Sequence, residues 1–140
     1  MIASLKLTFV LLLFITTNSI AQKADDIVGK YHLPNDLDIE IYKLNGKYNG
    51  RIIALNKYED GQTTDINNPD DSKHFDALLG MVIIKGLEFD SETGQWINGK
   101  MYGPEKGMVF NLKVTEIRKS EIEVVGSKYF FWHTLLWKKI

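Results

Sequence analysis

The sequence contains no cysteine. Disulfides, cysteine nucleophiles, zinc–thiolate centres and iron–sulfur clusters are therefore excluded by composition alone. The three histidines, His32, His74 and His133, stand far apart, and none has the i, i+4 spacing of a helical metal pair. No Gly-x-Ser-x-Gly turn and no glycine-rich phosphate loop occurs. An excess of charge of one sign is missing too: 17 Lys and Arg face 18 Asp and Glu, a net charge of −1. That balance gives no long-range attraction for nucleic acid or anionic lipid. Beyond the first residues no apolar run is long enough to span a membrane, which takes about 20 residues as a helix.

What is present begins with an export signal. Lys6 supplies a short positive region, Leu7 to Ile15 is almost unbroken apolar sequence, and Ser19 and Ala21 place small residues before Gln22. This pattern predicts a signal peptide over residues 1–21, cleaved after Ala21, and a protein destined for the periplasm or beyond. With no cysteine near the cut, a lipid-anchored form is not expected. Residues 22–140 then form a single domain of 119 residues. A domain of that size buries roughly two thirds of its unfolded surface and holds a core without staples. The same stretch carries 16 basic and 18 acidic residues, since Lys6 is the only charged residue before it.

Gly, Asn and Asp punctuate this domain every eight to twelve residues, the spacing of short strands in a meander. Strands are predicted over Ile27–Leu33, Asp38–Leu44, Lys47–Asn56, Met81–Phe89, Gln95–Tyr102, Met108–Ile117, Glu121–Gly126 and Tyr129–Lys139. Asn45-Gly46 is a strong hairpin signal. Met108, Phe110, Leu112 and Val114 alternate with polar neighbours, as do Ile122 and Val124, which marks half-buried strands. The last strand is apolar on both faces: Tyr129, Phe131, His133, Leu135 and Trp137 on one, Phe130, Trp132 and Leu136 on the other. Such a strand is covered twice, or its outer face meets a partner. Between the third and fourth strands, Lys57 to Gly80 is long and polar in its first half. Pro69 to Leu79 is expected to form a short helix capped by Asn68, with Phe75, Leu78 and Leu79 turned to the sheet. The fold class is thus all-β: a small eight-stranded antiparallel barrel with one short helical insertion, or failing closure a half-open, highly curved sheet.

Several segments, in order, resemble a family of bacterial exported proteins catalogued as domain of unknown function 2147. These are Gly29-Lys30-Tyr31, the hairpin from Ile39 to Ile52, Asp65-Ile66-Asn67-Asn68-Pro69-Asp70 and Leu78-Leu79-Gly80. Ile84-Lys85-Gly86-Leu87, Trp96, Gly99-Lys100-Met101-Tyr102, Pro104-Glu105-Lys106-Gly107 and Trp137 continue the match. The resemblance implies a lipocalin-like barrel and transfers no activity. Two positions depart from the family pattern: Lys139 replaces a closing arginine, and Gly103 replaces an Asp before Pro-Glu.

Few residues suggest chemistry. Asp65, Asn67 and Asp70 are hard oxygen ligands of the kind calcium prefers. Their spacing is not that of an EF-hand, and Asx-turns and helix capping account for them better. Glu40, Glu88, Glu121 and Glu123 alternate with apolar residues, so they are expected to face solvent rather than to pair for glycoside hydrolysis. No catalytic, metal or cofactor site is assigned. Aromatics are the remaining asset, either as ordinary core or as a pocket lining. The leading reading is a non-enzymatic binder of a small apolar or amphipathic ligand. Phe131, His133 and Trp137 would lie inside with Trp96, Tyr102 and Tyr48, and the loop carrying Asp65, Asn67, Asn68, Pro69, Asp70 and Leu79 would act as lid. The alternative is an interaction or envelope-structural module built on Phe130, Trp132 and Leu136. Either way a monomer or weak homodimer is expected.

Overall fold

In the computed structural model, which describes residues 21–140, the hairpin at Asn45-Gly46 shows how local chemistry sets the chain path. Both residues have positive φ, 51° and 77°, as the turn that matches strand twist requires. Eight strands follow from such punctuation: β1 (Gly29–His32), β2 (Asp38–Leu44), β3 (Lys47–Ala54), β4 (Val82–Asp90), β5 (Gln95–Gly103), β6 (Met108–Ile117), β7 (Glu121–Lys128) and β8 (Phe131–Lys139). Each pairs antiparallel with the next, and β1 meets β8 to close the barrel in sequence order. The predicted all-β meander is therefore the fold, and the half-open sheet is not. The predicted leader lies outside the described residues, apart from Ala21. No helix among the described residues is long and apolar enough to cross a membrane.

The barrel curves through bulges, where one strand carries an extra residue and bends. One lies between Trp96 and Gly99, with Asn98 at φ 62°. Gly99 is needed on the inner wall: a Cβ there would sit 2.6 Å from the Leu87 side chain and 3.0 Å from the Leu112 carbonyl.

One end of the barrel is filled. Trp96, Trp137, Tyr31 and Tyr48 are buried together with Ile41, Leu87, Val114 and Ile122, each worth about 1.5–3 kcal/mol on the scale of a buried Leu or Phe. A 3-10 turn, Ala24–Ile27, lies over this floor. Trp96 donates its indole N–H to the Ala24 carbonyl at 2.9 Å, and Tyr31 donates its hydroxyl to the Ile27 carbonyl at 2.7 Å. Ile27 is thus core, as its apolar character suggested, but in a turn rather than in the first strand.

The predicted helix over Pro69–Leu79 does not form. A single 3-10 turn, Asp71–Lys73, stands in its place. Asn68 Oδ1 accepts from Asp70 N–H at 2.8 Å, and Asp70 Oδ1 accepts from Ser72 N–H at 3.0 Å. These side chains compete with the helical pattern for backbone donors. The far half of the segment is drawn into extended pairing, with Thr64 opposite Ala77 and Leu78 N–H bonded to the Thr63 carbonyl. A helix this short had little intrinsic stability to resist. Of the three apolar residues expected to face the sheet, only Leu78 is buried, whereas Phe75 is 91% exposed and Leu79 is exposed.

Candidate functional site

The inward face of β8 is identified by its register with β7. Trp137 pairs with Ile122, Leu135 with Val124, His133 with Gly126 and Phe131 with Lys128. Ile122 and Val124 are core residues, and directly opposed side chains in an antiparallel pair share a face. Phe131, His133, Leu135 and Trp137 therefore all point inward, and Trp132, Thr134 and Leu136 outward.

Along this face the barrel passes from filled to hollow. Trp137 is buried in the floor, but Phe131, His133 and Leu135 line a cavity of about 460 Å³ with Phe110 and Met108, open at the other end. Gly126 leaves room opposite His133, since a Cβ there would meet the Phe110 ring at 3.2 Å. The family departure at Gly103 falls on the same wall, where a side chain would meet the Glu105 carboxylate and the Phe110 ring at 3.4 Å. Glu105, Lys106 and Lys128 place charge around the apolar interior.

The other aromatic candidates lie elsewhere. Trp96 and Tyr48 are buried in the floor. Tyr48 donates its hydroxyl to Asp25 at 2.5 Å. Burial, and then the Asp25 carboxylate, push its phenol up to about 12. In return that hydrogen bond, with Lys43, holds Asp25 below its ordinary value. Tyr102 neighbours the core residue Met101 and projects from the opposite, outer face of β5.

Its hydroxyl donates to Asp65 at 2.7 Å, and Asn68 donates to the same carboxylate at 2.8 Å. Asp65 is the buried charged residue among those described, at 1% exposure. Tyr58 lies close by and donates to Glu105 at 3.0 Å. Burial, reinforced by these carboxylates, raises the Tyr58 and Tyr102 phenols far above their ordinary value.

These contacts fasten the long loop to the barrel. Asn67 reaches the Pro104 and Glu105 carbonyls at 3.3 and 3.2 Å. Among the six proposed lid residues, Asp65, Asn67, Asn68, Pro69, Asp70 and Leu79, none lines the mouth cavity. Asp65, Asn68 and Pro69 instead border a cleft of about 490 Å³ on the outer wall, beside Lys85, Lys100 and Lys73. Asp70 caps the 3-10 turn, and Leu79 is exposed near the end of the long loop, before β4.

Acid–base pairs do not converge. Glu88 meets Lys47 at 2.7 Å, Glu40 pairs with Arg51, and Glu121 and Glu123 share Arg118 at 3.2 and 2.9 Å. All four glutamates are partly exposed, as their alternation predicted. His32 Nδ1 lies 2.6 Å from the Asp38 carboxylate and His74 Nε2 2.7 Å from the Asn68 carbonyl. No group of three metal-binding side chains is assembled among the described residues.

Eight antiparallel strands closed in sequence order, with one end plugged and the other open, define a lipocalin-like barrel. Residues 29–139 match the family described as an uncharacterized protein conserved in bacteria (DUF2147), and the chain belongs to that family. A solved structure from Helicobacter pylori, described as belonging to the lipocalin family, superposes with a TM-score of 0.71 at 20% identity. The match covers 81% of this chain and 82% of that one, and at this identity it speaks for the fold. No curated protein matches in sequence.

Sequence reasoning named Phe131 and His133, and counted Phe110 among the aromatics that could line a pocket, but missed Met108, Leu135 and Gly126. Alternation had already put Phe110 and Met108 on one face with Leu112, and Leu135 on one face with Trp137. What it lacked was the register that sets Gly126 against His133.

Proposed function

We propose that this protein is an exported carrier that takes one small, partly apolar molecule into the barrel mouth. The observation that carries the reading is a cavity of about 460 Å³ with apolar walls at the open end of a filled barrel. That volume lies within the range of ordinary small-molecule sites. Phe110, Phe131 and Leu135 would cover the apolar part of the ligand. His133, which has no hydrogen-bond partner among the described residues, supplies a polar atom within the wall, and Lys106 and Lys128 favour an acidic or polar head at the rim. Export rests on the predicted leader.

The test is native mass spectrometry of protein purified from its natural compartment, before and after extraction with organic solvent. A stoichiometric adduct that extraction removes, and that Phe131→Ala or His133→Ala weakens, is the expected result. A bare protein mass, together with no binding of an apolar fluorescent probe to the extracted protein, would sink the carrier reading.

A second reading is favoured by the outer face of the same strand, where Trp132 is 70% exposed. There the strand serves as a protein-docking surface.

A further inference from the structure

Closure of the barrel is incomplete along β8. β1 pairs with it only at Lys138 and Lys139, and Ile140 N–H then bonds to the Lys30 carbonyl. From Phe131 to Trp137 the strand is paired with β7 alone, and among the described residues no other backbone hydrogen bond reaches it. The β7–β8 hairpin therefore stands past the short β1 with one edge open.

Proteins usually blunt such an edge with charge, proline or a bulge. This edge has none of these: Tyr129 to Trp137 is an uncharged stretch without proline, and the β7–β8 register runs unbroken over eight pairs. The side chains are apolar on both faces, with Tyr129, Phe130, Phe131 and Trp132 each 70–89% exposed.

We infer that the open edge of β8 pairs with the same edge of a second copy of this chain, antiparallel about a two-fold axis at Thr134. Such an axis stands perpendicular to the sheet, so the opposed residues share a face. Trp132 of each copy then lies opposite Leu136 of the other, His133 opposite Leu135, and the two Thr134 hydroxyls meet. Within the open stretch Phe131–Trp137 no charged residues oppose each other, and Phe131 of each copy falls opposite Trp137 of the other. At about 200 Å² for each large aromatic side chain, Phe131 and Trp132, with the half-exposed Leu135 and Leu136, offer roughly 400 Å² per copy. Two copies together reach roughly 800 Å², the size of a weak dimer, to which the backbone pairing of the two edges adds. The result is a continuous sheet, β7–β8 of one copy joined to β8–β7 of the other. The inner face of each β8 then extends the wall of the neighbouring mouth, with Leu135 of one copy beside His133 of the other. This pairing stands whether or not the mouth holds a ligand.

Because the chain lacks cysteine, a single Thr134→Cys substitution gives a clean probe. Residues opposed across a two-fold have Cβ atoms about 5 Å apart, close enough for a disulfide. The full-length gene is expressed, and the protein is purified from the fraction it occupies. Its mass by light scattering is measured before and after solvent extraction, so ligand loss and dimer loss separate. The expected results are twice the monomer mass in both states, rapid oxidation of Thr134→Cys to a covalent dimer, and monomers for Trp132→Lys and Leu136→Lys with unchanged circular dichroism. Lys113→Cys, on the outer wall, controls for collisional oxidation. A wild-type monomer at the highest soluble concentration would overturn the inference, as would Thr134→Cys cross-linking no faster than Lys113→Cys. So would a dimer that survives both lysine substitutions, or a stable complex with a different protein in place of a dimer.

Discussion

Gly107 shows how narrowly single positions are specified in this barrel. It adopts φ 61°, and a Cβ there would lie 1.9 Å from the Asn67 carbonyl oxygen, the point where the long loop crosses the β5–β6 turn. Left-handed backbone costs a side-chain-bearing residue about 1–2 kcal/mol, and the clash with backbone adds to it. Gly107→Ala is expected to lower stability by at least ~2 kcal/mol, read as a lower urea midpoint with an unchanged slope. Asp65 is governed by the same crossing. Tyr102→Phe removes one of the two side-chain donors to a buried carboxylate and should cost about 1–3 kcal/mol. Ligand binding should be unaffected, because neither residue lines the mouth.

At the scale of elements, the 3-10 turn Ala24–Ile27 closes the floor through Tyr31, Tyr48 and Trp96. Burial pushes Tyr31 to about 12, and burial aided by Asp25 does the same for Tyr48, against an ordinary value of 10.0. A phenol whose folded value is raised binds its proton more tightly when folded. Its contribution to stability is therefore complete below pH 10 and is lost as pH climbs towards about 12. Thermal unfolding should show constant melting up to about pH 10 and a steep fall above it. In a titration followed at the tyrosinate absorbance, these two residues should ionise only as the fold opens. Replacing both with Phe should make the alkaline fall shallower, leaving the part carried by Tyr58 and Tyr102, whose phenols are raised as well. A fall of unchanged steepness would show that the floor tyrosines do not contribute.

For the molecule as a whole, the filled floor and hollow mouth predict unequal responses to ligand. A molecule bound only by the folded state stabilises it by about 2.7 kcal/mol at a hundredfold excess over its Kd. Solvent-extracted protein should accordingly melt lower than protein taken from its compartment, and adding back the extract should restore the difference. Phe131→Ala should abolish the restoration while leaving the extracted protein's own melting nearly unchanged, since Phe131 is 75% exposed without ligand.

Much of this architecture was legible in local patterns. Asn45-Gly46 marks its hairpin because only residues tolerant of positive φ fit that turn. Strict alternation placed Leu112, Val114, Ile122 and Val124 inward, and all four are buried. The eight strands follow from such features, which need no distant partner. The Pro69–Leu79 segment misled because capping residues at its start fit a helix and a loop equally well. Thr63 and Thr64, distant enough to be outside that window, decided for the loop.

The sequence by itself thus determined the fold class, the strand set and the absence of thiol chemistry, since turn propensity and period-two burial act over a few residues. Only the tertiary structure decided that His133 is set beside Gly126 on the wall of an open cavity, that Trp137 belongs to the floor, and that β1 ends early and leaves β8 an open edge. Those outcomes depend on register between strands and on which large side chains fill the interior first, and pairing over such distances is settled by packing of the whole barrel.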